Sequence, residues 1–164
     1  MRKLIYRYRF ADKNPLSLGD DRGEDLRWFE SSMRIVADAG LWYRLLGTAG
    51  LLRVTALMNY GRRFMLMLLA DRRPAGYVCV KYGFCRYYPV GKRDAVIGPV
   101  YVHPEFRRRG FAVRMINAAM ARLAGENVDT VWVDTSATNM AMQNVIRRCG
   151  FNETEQQIED GRKS

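Results

Sequence analysis

The segment from Arg107 to Ala112 carries the strongest chemical signal in this chain. Three consecutive arginines precede Gly110, and the small Ala112 follows two positions later. The first N–H groups of a helix have no partner within the helix and lie at the positive end of its dipole, which favours phosphate binding there. Gly110 lacks a side chain, so the backbone can approach such a ligand closely. These residues predict a pyrophosphate site, and the alternative is a basic turn exposed to water.

The elements on either side of this segment are those that a phosphate site requires. A strand predicted at Ala95–Val102 leads into it through Pro104. A strongly apolar helix predicted at Phe111–Ala124 follows and ends at Gly125. Because strand, loop and helix succeed one another directly, the phosphate site is favoured over the exposed turn.

Hydrophobic periodicity predicts the other elements. The predicted strands cover residues 4–10, 64–70, 76–84, 130–135 and roughly 154–159. The predicted helices cover residues 24–40, with Gly40 ending the helix, then about 41–59, and 140–149 before a capping Gly150. A tight turn at residues 71–74 joins two of the strands. The pattern is that of a mixed α/β chain.

The composition describes one globular domain, residues 1–164. A hydrophobic fraction of 48% with 27% charged residues excludes a disordered or fibrous chain. Three cysteines without a CxxC pair indicate neither a disulfide framework nor a zinc site, so we expect no metal and a reducing, cytoplasmic location. Arg7 and Arg9 interrupt the apolar start of the chain, so we expect no signal peptide. The longest apolar run, residues 64–70, is too short to span a bilayer.

The formal net charge of +10 predicts attraction to polyanions in general. It does not identify a nucleic-acid partner, because the chain contains no zinc-finger, RNP or helix-turn-helix signature. Residues 41–64 interleave apolar side chains with several arginines, as a helix lying on an anionic membrane would. We favour instead an amphipathic helix that packs its leucines on the core and lines a substrate pocket.

Two motifs in the chain resemble those of the GNAT superfamily of acetyltransferases. The stretch VYVHPEFRRRGFAVRMINAAMARL, residues 100–123, is similar to the acetyl-CoA-binding motif, with its R/Q-x-x-G-x-G/A signature intact. Asn139 followed by Gly150 and Phe151 resembles the second motif at its usual spacing. The resemblance covers residues 64–151 well and the first sixty residues only loosely.

The resemblance implies a fold and an organisation. The expected GNAT fold has a central, mostly antiparallel sheet with a V-shaped splay between the fourth and fifth predicted strands, flanked by about four helices. Cofactor motifs would occupy residues 95–151, and helices at 24–60 would shape the acceptor site.

The resemblance also implies contacts with acetyl-CoA. Val100, Tyr101 and Val102 would contact the pantetheine arm and the acetyl carbonyl through their backbone. The phosphates would lie on a set of consecutive residues: Arg107, Arg108, Arg109, Gly110, Phe111, Ala112 and Val113. Asn139 would bind the cofactor or position the departing thiol.

Family members transfer the acetyl group directly to an uncharged amine, so a base is useful near neutral pH. Asp134 is our candidate, because members that acetylate protein N termini carry a catalytic carboxylate five residues before the asparagine. The alternative for Asp134 is a helix cap or a solvated acid. The family places a proton-donating tyrosine where this chain has Ile146. Either CoA leaves as the thiolate, or another group donates, with three candidates: Tyr101, Tyr87 and Tyr88.

Two further residues could carry chemistry but fit a plainer role. His103, the only histidine, stands beside Pro104 at the strand exit and is expected to be a solvated loop residue. Cys149 has no histidine partner in the sequence and is expected to be a buried packing residue.

The sequence therefore predicts an N-acetyltransferase that moves an acetyl group from acetyl-CoA to a primary amine. The acceptor is a small molecule, such as an amino sugar or amine metabolite, or a peptide or protein. A non-catalytic acyl-CoA-binding regulatory module is the alternative that Ile146 favours, and a nucleic-acid-binding protein is the third. A homodimer is also compatible with the sequence.

Overall fold

The computed structural model describes residues 2–12 and 26–159. The strands of the described part are β1 Arg2–Arg9, β2 Leu26–Phe29, β3 Arg63–Ala70, β4 Arg73–Tyr82, β5 Ala95–Val102, β6 Thr130–Ser136 and β7 Asn152–Glu159. The α-helices of the described part are α1 Ser32–Ala37, α2 Ala39–Leu57, α3 Phe111–Ala124 and α4 Met140–Arg148. Short 3₁₀ turns lie at Phe10–Asp12 and Pro104–Phe106.

The strands form one sheet in the order β2-β3-β4-β5-β6-β1-β7. Neighbouring strands pair antiparallel except β5 and β6, which are parallel. The mixed α/β class, the mostly antiparallel sheet and the four helices predicted from the sequence are thus confirmed. Strand β2, at one edge of the sheet, was not predicted, so the fourth and fifth predicted strands, between which a splay was expected, are β5 and β6.

The alternation of side chains along the strands divides the core between the two faces of the sheet. Helices α3 and α4 cover one face, where Ile116 and Ile146 pack with residues such as Val78 and Val133. Helices α1 and α2 cover the other face, where Trp42 packs with β3 and β4. Helix α2, which corresponds to the helix predicted at about 41–59, therefore buries apolar side chains on the core, as predicted. Among the described residues, no helix is long and apolar enough to cross a membrane.

The prediction of a helix over residues 24–40 is wrong at residues 26–29, and its first two positions lie outside the described residues. Residues 26–29 form β2 and pair antiparallel with β3. Trp28 packs against the core on the α3 side of the sheet, whereas Phe29 is buried on the α1 side. This alternation is that of a strand. Because the segment is short, the apolar positions of residues 26–37 fit both the helical period of about 3.6 residues and the strand period of two. In α1 only Ile35 is buried, while Met33 is 80% exposed.

The break between α1 and α2 also differs from the prediction. Gly40 does not end a helix; it lies in the first turn of α2, and Asp38 joins the two helices. The interruption that the sequence did not predict is at Gly47, whose φ of 69° and ψ of −175° are not helical. A left-handed φ of this kind favours glycine, because other residues clash there.

The hairpin between β3 and β4 is tighter than the predicted turn at 71–74. Asp71 and Arg72 both have positive φ angles, of 50° and 60°, and Arg73 already belongs to β4. Two central residues with positive φ match the right-handed twist of the flanking strands. The hairpin pairs β4 with β3, and the other edge of β4 pairs with β5, the strand that leads into the arginine segment.

Candidate active site

A gap opens in the sheet between β5 and β6. The two strands pair only from Ala95 to Ile97, where Ile97 lies opposite Val133. Beyond this point β5 continues to pair with β4 on its other side, as far as Val102 opposite Gly76. The second half of β5 therefore presents a strand edge to the gap, to which an extended ligand can add as a strand does.

A bulge in β5 marks the start of this gap. Val78 of β4 lies opposite Val100, and Val80 lies opposite Ile97, so β5 contains one extra residue at Gly98 and Pro99. A bulge bends a strand and redirects the side chains that follow it. After the bulge, Tyr101 packs on the α2 side of the sheet. The structure thus places the predicted residues 100–102 along the edge that faces the gap.

The arginine segment lies between β5 and α3, as predicted, and the 3₁₀ turn Pro104–Phe106 joins it to β5. Arg107 to Gly110 are exposed, and the Arg107 guanidinium donates a hydrogen bond of 3.2 Å to the Val102 carbonyl. The first helical bond of α3 is donated by the Arg114 N–H to the Gly110 carbonyl, at 3.1 Å. The N–H groups of the helix start therefore precede the intrahelical ladder and are available to an anion.

The backbone of this segment has the shape that an anion site needs. Arg108 and Gly110 have positive φ angles of 64° and 77°. Turns of this type direct successive N–H groups into a concave surface that binds phosphates. A Cβ at Gly110 would meet no atom within 4 Å, so the space in front of the loop is open. The loop, with its three exposed arginines, fits a pyrophosphate in charge and in backbone shape.

Asp134 lies on β6 immediately after the last residue that pairs with β5. Its neighbours Val133 and Thr135 are buried toward α3 and α4, so Asp134 points to the opposite face, the one on which Tyr101 packs. Asp134 and Tyr101 therefore lie on one face of the sheet, on strands that flank the gap. Asp134 does not cap a helix in this structure.

Within the described part of the chain, two groups contact the Asp134 carboxylate. The Lys3 ammonium donates to Oδ2 at 2.9 Å, and the two side chains are 13% and 18% exposed. The Tyr88 hydroxyl donates to Oδ1 at 3.5 Å. No local sequence pattern points to Lys3, because the contact joins residues 131 positions apart and only the pairing of β1 with β6 brings them together.

The tyrosines considered as proton donors have different surroundings. Burial, followed by the nearby charge of Asp134, raises the pKa of Tyr88 far above its usual range. The ring of Tyr87 lies against the Lys3 ammonium, 3.7 Å from nitrogen to ring centroid. Tyr101 is half-buried beside Tyr77, with ring centroids 5.9 Å apart. Because a raised pKa makes Tyr88 a weaker acid, it is poorly suited to protonate a thiolate.

Asn139 caps α4 in this structure. It is exposed, and its Oδ1 accepts a hydrogen bond of 3.1 Å from the Met142 N–H. This is the usual role of asparagine at a helix start. Its predicted contact with the cofactor or the thiol stays a prediction.

Ile146 and Cys149 face the core and not the gap. Ile146 is fully buried among the apolar residues of the α3 side. The Cys149 thiol lies 3.9 Å from the Val113 carbonyl, and burial raises its pKa to about 12. Neither side chain can exchange a proton with a ligand in the gap, in agreement with the packing role expected for Cys149.

His103 lines a small pocket beside the arginine segment. The pocket, of about 350 Å³, is also lined by Arg44, Arg73 and Glu105. His103 Nδ1 lies 3.8 Å from the Glu105 carboxylate, and its side chain is 35% exposed. His103 is thus partly exposed to water in the loop that follows β5, as expected. Among the described residues, no group of His, Cys, Asp or Glu has the arrangement of a metal site.

Comparison with protein families identifies the class to which this site belongs. The family model described as "Acetyltransferase (GNAT) family" matches residues 24–151, and the chain therefore belongs to this family of acetyltransferases. The match includes β5, the arginine segment, β6 and α4.

Curated relatives carry related names. Residues of this chain are 29% identical over 96 positions to the [ribosomal protein bS18]-alanine N-acetyltransferase of Salmonella typhimurium, covering 58% of this chain and 60% of the relative. The mycothiol acetyltransferase of Mycobacterium ulcerans is 34% identical over 61 positions, covering 37% of this chain and 18% of the relative. The chain thus spans less than two thirds of the length of these relatives.

Solved structures share the fold. An aminoglycoside N-acetyltransferase, AAC(6')-Iy, in complex with CoA has a TM-score of 0.60 at 22% identity, covering 85% of this chain and 99% of that one. A GNAT-family protein from Novosphingobium aromaticivorans has a TM-score of 0.63 at 19% identity, covering 95% of this chain and 60% of that one.

Proposed function

We propose that the chain is an acetyl-CoA-dependent N-acetyltransferase acting on a primary amine of a small molecule or of a peptide. The observation that carries this proposal is the position of the gap. It lies between a free strand edge that leads into a phosphate-binding loop and a strand that carries a carboxylate at the mouth of the gap.

The donor would lie along this path. The pyrophosphate binds the N–H groups at the start of α3 and the charge of Arg107 to Arg109. The pantetheine arm runs along residues 100–102, whose backbone faces the gap. This arrangement brings the thioester to the mouth of the gap, on the side of β6 that carries Asp134.

The reaction follows from these positions. Asp134 takes a proton from the acceptor, directly or through water, and the neutral amine attacks the thioester carbonyl. A backbone N–H of the β5 edge stabilises the oxygen of that carbonyl as negative charge develops on it. Holding both reactants in one gap supplies much of the rate through proximity. Tyr101 remains the candidate to protonate the departing sulfur, since Ile146 is buried elsewhere.

The names of the relatives support an amine acceptor. One acts on the alanine of a ribosomal protein, and the structural neighbour is an aminoglycoside acetyltransferase. The acidic residue five positions before Asn139 favours a peptide N terminus within this class. The two helices near the gap, α1 and α2, would then contact the acceptor.

Calorimetric titration with acetyl-CoA tests the donor site. Wild type should bind, and Gly110→Glu should bind at least about 100-fold more weakly, because a carboxylate placed against phosphate costs several kcal/mol. Gly125→Glu is the control for charge alone: it adds the same charge at the other end of the 14-residue helix α3, at a φ of −82°, and lacks the strain of a side chain at the positive φ of Gly110. It should bind like wild type. Absence of binding by wild type would exclude the proposal.

Thiol release separates an enzyme from a non-catalytic acyl-CoA-binding module, the alternative that a buried Ile146 favours. Acetyl-CoA is mixed with a panel of amines, amino sugars, polyamines and short peptides, and free CoA is measured. An enzyme releases CoA at a rate that depends on the acceptor, whereas a binding module shows donor binding without acceptor-dependent release.

A further inference from the structure

The ammonium group of Lys3 occupies the place beside Asp134 where the proposed reaction needs an acceptor amine. Its nitrogen lies 2.9 Å from Asp134 Oδ2 and 3.7 Å from the centroid of the Tyr87 ring. A carboxylate and an aromatic face together are a typical environment for an alkylammonium ion. The chain therefore fills its own candidate amine site with one of its own side chains.

The sheet explains why Lys3 reaches this place. In β1, Leu4 and Tyr6 are buried toward α3 and α4, so Lys3 points to the face on which Asp134 lies. Strand β1 pairs with β6 on the side away from the gap, with Ile5 opposite Asp134. Asp134 thus stands between Lys3 and the gap, and the flexible four-carbon stem of lysine allows the nitrogen to move past it.

Resting on the proposed function, we infer that Lys3 is an internal acceptor: the chain acetylates Lys3 Nζ from acetyl-CoA bound in its own gap. Asp134 takes one proton from the Lys3 ammonium, and the neutral nitrogen bonds to the thioester carbonyl carbon. The carbon–sulfur bond breaks with its electron pair on sulfur, and the second proton lost by nitrogen passes to that sulfur. The products are acetyl-lysine and CoA.

The burial of Lys3 separates this reaction from chemical acetylation in solution. The Lys3 side chain is only 13% exposed and its ammonium is ion-paired, so acetyl-CoA from bulk water has little access to it. Lys92 is exposed and Lys81 is half-buried, and both lie outside this cluster. Enzymatic acetylation would therefore modify Lys3 before Lys81 and Lys92, whereas exposure alone predicts that Lys92 is modified first.

Acetylation of Lys3 would also change the site. The product amide carries no charge and cannot form an ion pair with Asp134. The carboxylate would then be free for an external amine. Self-acetylation would thus convert the site from one filled by Lys3 into one open to an acceptor, and an external amine would compete with Lys3 for the unmodified chain.

Mass spectrometry of the full chain after incubation with acetyl-CoA tests this inference. The peptide containing Lys3 should gain one acetyl group faster than the peptides containing Lys81 and Lys92, with a rate independent of protein concentration, as for a reaction within one chain. Gly110→Glu should lose the modification at Lys3 and keep the slow chemical modification elsewhere. Asp134→Asn should slow the modification at Lys3 by about 100-fold or more.

The outcomes distinguish this inference from the proposed function. If Lys3 is acetylated no faster than Lys81 and Lys92, or equally in Gly110→Glu, the internal acceptor is excluded. If CoA release with external amines continues in that case, the proposed N-acetyltransferase stands. If the chain does not bind acetyl-CoA, both are excluded.

Discussion

At the scale of single residues, Asp134 has a different neighbour at each carboxylate oxygen. Lys3 supplies a positive charge at Oδ2, and Tyr88 supplies a hydroxyl at Oδ1. Because burial and the nearby carboxylate raise the pKa of Tyr88, this hydroxyl stays protonated at neutral pH and acts as a donor to Asp134. The two contacts hold the carboxylate at the mouth of the gap.

Replacing Asp134 by Asn should reduce acceptor-dependent CoA release by about 100-fold or more, because an amide cannot take the amine proton. The measurement is the rate of free thiol formation across the pH range, with acetyl-CoA affinity measured in parallel. Tyr88→Phe is the control, since it removes one contact of the carboxylate and keeps its charge. Full turnover of Asp134→Asn at every pH would show that another group is the base.

The cysteines should differ in reactivity in the folded chain. With the pKa of Cys149 at about 12, only ~1 thiol in 10,000 is ionised at pH 8, and the thiolate is the reactive form. Burial also raises the pKa of Cys79. Iodoacetamide at pH 8 should therefore modify the half-buried Cys85 first, as read by peptide mass spectrometry. Early labelling of Cys149 would contradict its packing role, and labelling in denaturant is the control.

At the scale of elements, sequence patterns predicted long elements with a clear period and missed a short strand whose structure depends on its pairing partner. The bounds predicted for α3 and the approximate bounds predicted for β5 match the structure, because a long apolar helix and a strand with a buried first half have clear periods. Residues 26–29 were assigned to a helix, since a four-residue strand at a sheet edge is defined by its pairing with β3 and not by its own sequence. The contact of Lys3 with Asp134 depends on strand order, which no local pattern contains.

The close approach of β4 to β5 depends on Gly76. A Cβ at this position would lie 2.4 Å from the Tyr101 carbonyl oxygen and 3.2 Å from the Val102 Cα. Gly76→Ala should therefore displace the β5 edge and lower the free energy of unfolding by about 1–3 kcal/mol. Urea unfolding measures the stability, and calorimetry should show weaker acetyl-CoA binding because residues 100–102 move.

Gly40→Ala is the matched control for this substitution. A Cβ at Gly40 meets no atom within 4 Å, and the residue lies in the first turn of α2. Alanine there should leave stability unchanged or raise it by about 0.4–1 kcal/mol. Equal stability of Gly76→Ala and wild type would show that the backbone of β5 can yield without cost.

At the scale of the whole molecule, Glu126 joins elements that are distant in the chain. Its carboxylate accepts from the Tyr82 hydroxyl of β4, from Arg122 of α3 at 2.7 Å, and from Arg62 before β3 at 3.2 Å. Arg122 also pairs with Glu30 between β2 and α1, at 2.6 Å. This network, Glu126 with Tyr82, Arg122, Arg62 and Glu30, ties the end of α3 to the sheet and thereby helps to fix the orientation of the helix whose start binds phosphate.

The network should make stability depend on pH in the acid range. Burial opposes ionisation of Glu126, but hydrogen bonds from Tyr82 and Arg122 outweigh it and hold the pKa of Glu126 below its usual value. A lowered folded-state pKa contributes stability that is complete above the unfolded-state value, near 4.5, and is lost as the pH falls through the folded-state value. The protonated carboxyl weakens its contacts with both arginines.

Glu126→Gln should therefore lower the free energy of unfolding by about 1–3 kcal/mol at pH 6, and the difference from wild type should shrink as the pH falls below 4.5. Urea unfolding at a series of pH values measures this. Asp129→Asn is the control, because its pair with Arg93 is exposed and should contribute less than about 1 kcal/mol. A difference that stays constant at every pH would show that Glu126 acts through shape alone, since only its charge can make the contribution titrate.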